Sequence, residues 1–232
     1  MKIAIMQPYF LPYIGYFQLI NSVDKFILLD DVNYIKKGYI NRNQILINGR
    51  AQNITIPLSK ASQNKYIKEI QLVEDLKILN KIKTTVSTAY AKAPFYHQIL
   101  PLFISIIDYK SSNISDFNYN SLKIICDYLE ITTEIIQSSS IYPKNELEKT
   151  DRIINIIDQN KGKTYINPIG GTGLYKKEYF KEKGITLNFI KSKPINYSQH
   201  GESFVPFLSI LDILMFNNKE TLKKHLNAFE LI

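Results

Sequence analysis

Residues able to do chemistry gather at a few places in this chain. Asp30-Asp31 closes the apolar run Lys25-Phe26-Ile27-Leu28-Leu29. A carboxylate at the end of a strand can act as acid or base, so both are catalytic candidates. Neighbouring strand residues point to opposite faces, so the two are not expected to form one dyad. Neither has a His or Cys at metal-ligand spacing, and no metal site is expected. His200 is the catalytic candidate among the histidines, because Tyr197-Ser198-Gln199-His200-Gly201-Glu202 is a polar loop without periodicity; Gln199 beside it is a binding candidate. Near the start, Gln7-Pro8-Tyr9-Phe10-Leu11-Pro12 leads into Tyr13-Ile14-Gly15-Tyr16. A Gly at the start of a helix lets an anion approach the first-turn amides. Gln7, Tyr9, Tyr13, Gly15 and Tyr16 are therefore binding candidates, with an aromatic packing loop as the alternative. Ile169-Gly170-Gly171-Thr172-Gly173 lies between a strand-like and a helix-like segment, where its amides could cradle an anion. It matches neither the P-loop nor the dinucleotide fingerprint. A tight turn is the alternative reading of Gly170, Gly171 and Thr172. Cys126 sits on an apolar helical stretch with Leu122, Ile125 and Leu129 and reads as a buried structural thiol.

The chain has 29 basic and 21 acidic residues, a net charge of +8 and a pI near 9.3, which favours anionic partners. Only three of the basic residues are Arg. Lysine in such excess is also what an AT-rich genome supplies, and the charges are scattered rather than clustered, so nucleic acid is not the expected partner. A small phosphorylated ligand is. Against that lysine background each Arg has a geometric claim, because its planar fork can hold a phosphate or carboxylate with two hydrogen bonds. Arg42, in Asn41-Arg42-Asn43 before a strand-like run, is a binding candidate together with Asn41. Arg50 follows the Asn48-Gly49 turn and reads as a solvated turn residue, and Arg152 falls in a helical segment and reads as surface.

The elements that must position these residues alternate between strand and helix. Lys2–Met6 reads as a strand, Tyr13–Ile20 as a short helix and Lys25–Asp31 as a buried strand, a βαβ unit that implies a parallel sheet. Gln44–Ile47 and Gln52–Pro57 flank Asn48-Gly49, the signature of a hairpin with a type I′ turn. A further strand is expected over 66–73, helices over 75–90, 94–109, 116–130 and 147–159, and strands over 132–137, 163–167 and 185–190. Helices are also expected over 174–183, 206–217 and 219–227. The alternation predicts an α/β fold with a mainly parallel sheet, a β-hairpin insertion and helical middle and C-terminal segments. One domain is expected over 1–232, with a helical subregion at about 75–130. Ligands of such sheets bind beyond the carboxyl ends of the strands, where the loops named above lie. Hydrophobic residues make up 45% and charged residues 22%, as in globular proteins. No apolar run is long enough to span a membrane or to form a signal-peptide core. The single cysteine allows no internal disulfide, and a cytoplasmic setting is expected.

Two resemblances follow from these residues. The strand, loop, glycine and helix around Tyr13-Ile14-Gly15-Tyr16 resemble nucleotidyltransferases with a His-x-Gly-His signature, which implies a Rossmann-like sheet of that type. Both histidine positions hold tyrosine here, which removes the positive charge that the usual mechanism uses. More of the chain is covered by blocks that resemble the WbqC-like family. These are Met6–Phe17, Asp30-Asp31-Val32, Asn41-Arg42-Asn43, Tyr90 with Ala93-Pro94-Phe95, Tyr165 with the Gly-rich loop, Tyr197-Ser198-Gln199, and Leu208–Leu214. The resemblance makes Tyr165 a further binding candidate. It also implies a place in the biosynthesis of O-antigen or other surface polysaccharides, beside enzymes that make nucleotide-linked amino sugars.

Three functions follow as expectations. The first is an enzyme that acts on a nucleotide-activated amino sugar, by acyl or aminoacyl transfer. The second is a nucleotidyltransferase-like enzyme with an altered signature. The third is a non-catalytic protein that binds nucleotide sugars. No cofactor is specified by the residues.

Overall fold

Strands β1 (Lys2–Met6) and β2 (Lys25–Leu28) are joined through helix α1 (Ile14–Asn21) and pair in parallel, Ile3 opposite Lys25 and Met6 opposite Leu28. A computed structural model describes residues 1–147, 149–201 and 203–232. Glu148, inside the helix expected over 147–159, and Glu202, the last residue of the polar loop around His200, lie outside the described residues. After β2 come the hairpin β3 (Arg42–Ile47) and β4 (Arg50–Thr55), and a small pair, β5 (Leu58–Ser59) with β6 (Gln71–Leu72). Helices α2 (Leu76–Tyr90), α3 (Tyr96–Ile107) and α4 (Ile114–Tyr128) follow, then β7 (Glu134–Ile136), α5 (Lys149–Gln159) and β8 (Thr164–Pro168). The chain closes with α6 (Lys177–Glu182), β9 (Thr186–Ser192), α7 (Ile210–Phe216), α8 (Lys219–Leu226) and β10 (Phe229–Leu231).

The central sheet has six strands in the order β10-β9-β8-β1-β2-β7, all parallel but β10. Both faces are covered, as parallel sheets require. Alternate strand residues go to opposite faces. Ala4, Phe26, Leu28, Ile166 and Ile190 pack in the large core with α1, the α2–α4 helices and α7. Ile3, Ile5, Ile27, Tyr165, Leu187 and Phe189 pack in a second core with Ile153, Ile154, Ile156 and Ile157 of α5 and Phe180 of α6. The chain leaves β1 for the first face and leaves β8 for the second. Adjacent strands whose connections diverge in this way open a crevice between their carboxyl ends.

Local chemistry explains several elements. Asn48 and Gly49 have φ of +50° and +72°, the left-handed pair of a type I′ turn, and Ile47 pairs with Arg50 across it. The Asp75 carboxylate caps α2 by accepting from the amides of Lys77 and Ile78, and Asn113 caps α4 through the amide of Asp116. Cys126 is 2% exposed, and burial pushes its thiol up to about 12. In the native protein it should therefore resist an aromatic disulfide reagent for as long as the fold persists. Prompt stoichiometric release of the chromophore without denaturant would contradict a structural role.

Several expectations are corrected. Residues 66–73 are not one strand but a short 3-10 turn, Ile67–Glu69, followed by the two-residue β6. Helix α6 begins at Lys177 rather than 174, and α7 at Ile210 rather than 206. Strand β10 went unread, because a lone three-residue segment at a chain end has no periodicity to report. Strand β2 stops at Leu28, before the two aspartates. No helix among the described residues is long and apolar enough to cross a membrane.

Candidate functional site

The loop between β1 and α1 is tied down at almost every peptide. The Tyr16 hydroxyl donates to the Gln7 carbonyl (2.7 Å), and Asn118 Nδ2 to the Pro8 carbonyl (3.0 Å). Asn43 Nδ2 donates to the carbonyls of Phe10 and Leu11, at 3.1 and 2.9 Å. Ser209 Oγ donates to the Leu11 carbonyl and the Ile210 amide to that of Pro12. Leu11 has φ +41°, a costly left-handed conformation for such a residue that this web of bonds stabilises. Ligand-binding loops work best when held in one shape before the ligand arrives.

That loop forms one wall of a cavity of about 430 Å³ at the carboxyl ends of β1, β8 and β9. Tyr9, Tyr13, Gly15, Tyr16 and Tyr39 lie on one side, Ile169 and Gly170 on another, and Ile190, Lys191 and Ser192 close it. The size suits a small organic ligand. Tyr13 occupies the N-cap position of α1 without making a side-chain cap, and no acidic residue stands in the first turn. The leading amides of a helix have no partner inside it, so an uncapped start carries positive potential. A Cβ on Gly15 would overlap the ring of Tyr13, so the glycine makes room for that ring to lie across the start of the helix. Burial raises the phenols of Tyr9 and Tyr16 above their ordinary value, with the Tyr9–Tyr39 and Tyr9–Tyr16 contacts adding to it. At neutral pH they stay uncharged donors.

The remaining sequence candidates are distributed differently. Gln7 is not part of the cavity lining, and its carbonyl accepts from the Tyr16 hydroxyl. Asn41 is spent within the chain, accepting from Tyr34 (2.9 Å) and donating to the Ile56 carbonyl (2.8 Å). Arg42 donates to the carbonyls of Gly38 and Lys37 and lies off the cavity wall. Gly170 lines the cavity, whereas Gly171 is buried where any Cβ would overlap Asn167 Oδ1. The Gly-rich loop closes on itself rather than opening a helix: the amides of Thr172, Leu174 and Tyr175 donate to Ile169 and Gly171 carbonyls, and Thr172 Oγ1 also donates to Ile169. Tyr165 is fully buried, stacked on Phe180 and accepting from Asn167 Nδ2.

Asp30 and Asp31 are both buried and stand away from this cavity. Against the expectation of opposite faces, they share one hydroxyl. Ser139 Oγ donates to Asp31 Oδ1 and lies 3.4 Å from Asp30 Oδ1. Strand alternation does not govern them, since β2 has already ended. Asp30 also accepts from Ser138 (2.7 Å) and Ser115 (2.9 Å). Burial nevertheless raises its carboxyl above the ordinary value. Asp31 pairs with Arg152 at 2.9 Å. Arg152, read from the sequence as surface, is 4% exposed and also holds the carbonyls of Ser139, Tyr142 and Pro143. His200 is exposed and rests edge-on against Phe216. Gln199 donates to Asp212, 2.6 Å away, rather than toward the cavity.

Tyr39, Asn43, Lys191, Ser192 and Phe207 are cavity residues that the sequence reading did not select. Asn43 carried a signal, as the neighbour of Asn41 and Arg42. Lys191 and Ser192 lie just past the expected end of the last parallel strand, where that strand's carboxyl end should have drawn attention to them.

Fold and cavity together define an α/β protein with a crevice at the switch point of a parallel sheet. The chain belongs to the WbqC-like protein family, whose profile matches residues 7–224. It is similar to Rv1507c, an uncharacterized protein of Mycobacterium tuberculosis, with 29% identity over 216 residues, covering 92% of each chain. No solved structure matches it.

Proposed function

We propose that this protein is an enzyme acting on a nucleotide-activated amino sugar held in the switch-point crevice, with acyl or aminoacyl transfer to the sugar as its reaction. One observation carries the reading: an aromatic cavity lies between the β1–α1 loop and the β8 loop, with the uncapped start of α1 on its wall. Tyr9 and Tyr39 offer faces for a base or a sugar ring. The first-turn amides of α1 and Lys191 suit the diphosphate. The likeness of its sequence blocks to proteins of surface-polysaccharide clusters supports the sugar.

A second reading, a binding protein without catalysis, is favoured by one specific feature. Among the described residues lining the crevice there is no carboxylate, imidazole or thiol. Calorimetric titration with UDP- and dTDP-linked amino sugars tests both. Binding in the micromolar range is expected, on the order of −8 kcal/mol. Gly15→Val forces the Tyr13 ring off the helix start and into the cavity, and should weaken binding at least tenfold. No binding by the wild type, or equal binding by Gly15→Val, overturns the proposal. Binding without any product, by mass spectrometry with acyl and aminoacyl donors present, selects the second reading.

A further inference from the structure

A second cavity, of about 280 Å³, opens at the same carboxyl edge of the sheet, beside the start of α5. Its polar lining is Asn33, Tyr66, Lys144, Lys149, Arg152 and Tyr175, with Asp31 as the one carboxylate among the described residues. That carboxylate is already engaged by Arg152 and Ser139. The two lysines remain. Lys144 Nζ stands 5.3 Å over the centre of the Tyr66 ring, and neither Lys144 nor Lys149 is within ion-pair distance of a carboxylate among the described residues. Arg152 adds an independent sign. It is 4% exposed, and while its two terminal nitrogens are matched to four acceptors, its Nε has no acceptor among the described residues. A buried guanidinium donor is rarely left unmatched, because it has given up water without replacement. Helix α5 begins at Lys149, and the acidic residue of its first turn, Asp151, accepts from the Tyr179 hydroxyl and is not part of the cavity lining.

We propose that this cavity is a second binding site, for the phosphate group of a small molecule other than the one in the switch-point crevice. Among the described residues that line it, three cations face one carboxylate, a balance that favours an anion. Lysines on flexible stems around a fixed arginine suit the three-fold oxygen array of a phosphate. The volume accommodates a phosphate with a small appendage and excludes a whole nucleotide sugar. The two cavities flank one loop: Gly170 lines the first and Tyr175 the second. The site stands on its own residues and does not depend on what the crevice binds.

Inorganic pyrophosphate is the probe, titrated calorimetrically into the full chain at low ionic strength. The wild type should bind it. Lys144→Gln/Lys149→Gln should weaken it at least tenfold, with an unchanged circular dichroism spectrum and melting temperature, since neither lysine is buried. Any pyrophosphate event that Lys191→Gln removes belongs to the crevice, whereas the event lost in the double lysine variant should be untouched by Lys191→Gln, and the double lysine variant should leave nucleotide-sugar binding unchanged. Absence of pyrophosphate binding in the wild type, or equal binding by the double variant, overturns the proposal. So does a loss caused by Lys191→Gln instead, which would place the anion in the crevice.

Discussion

Arg152→Met should cost about 3–5 kcal/mol of stability, because it leaves the Asp31 charge buried without its partner. Asp31 is 6% exposed, and Arg152 is its only cation among the described residues. The same substitution strips donors from the Ser139, Tyr142 and Pro143 carbonyls, which hold the turn after β7 against the end of β2. For a chain of this length the melting temperature should fall by on the order of 10 °C. Arg152→Met combined with Asp31→Leu removes both charges and should recover much of the loss, since well-packed apolar replacements of buried pairs are often close to neutral. Thermal unfolding of the wild type, both single variants and the double variant gives the coupling energy directly. A single-variant loss below about 1 kcal/mol, the scale of a surface pair, would show that the pair is not sealed from water.

Asp212→Asn should cost about 1.5–3 kcal/mol, and the cost should depend on pH. Asp212 is fully buried and accepts from the Tyr90 hydroxyl at 2.9 Å, the Tyr197 hydroxyl at 2.7 Å and Gln199 Nε2 at 2.6 Å. Tyr90 passes the network on by accepting from the Leu46 amide. One carboxylate thereby joins α2, α7, β3 and the segment between β9 and α7. An asparagine has one acceptor oxygen and turns an N–H₂ toward groups that are already donors. Burial raises the Asp212 carboxyl above its ordinary 3.8, despite the three donors and the nearby His200. The folded state therefore binds this proton more readily than the unfolded chain. Its contribution is fullest below 3.8 and declines as pH rises through the folded value. Asparagine does not titrate, so wild type and variant should differ more at pH 4 than at pH 7. Asp30 shifts in the same direction but is common to both proteins and cancels. Urea unfolding at the two pH values measures the difference, and a gap that narrows toward acid would refute the assignment.

What local sequence dictates, it dictated well here. The apolar runs of β1 and β2 with the helical spacing between them made a parallel βαβ unit readable, and Asn48-Gly49 specified the turn type of the β3–β4 hairpin, because each is decided within a few residues. Four isoleucines of α5 announced a buried face, and they are buried. The first loop was legible as a constrained segment for the same reason: proline, glycine and aromatic residues restrict a backbone wherever they stand. What lay beyond the sequence was every pairing made across the chain. Arg152 and Asp31 are 121 residues apart, and nothing near Arg152 distinguishes it from a surface residue. Gln199 and Tyr197 look like free polar groups until α7 brings Asp212 against them. Arg42 looks like a ligand clamp until the turn before it presents two carbonyls. Periodicity reports which face of an element is buried, whereas the partner of a polar group depends on which distant segments the sheet order brings together. That order, with β8 placed beside β1, opened the crevice and set the loops of residues 7–16 and 170–175 on one edge.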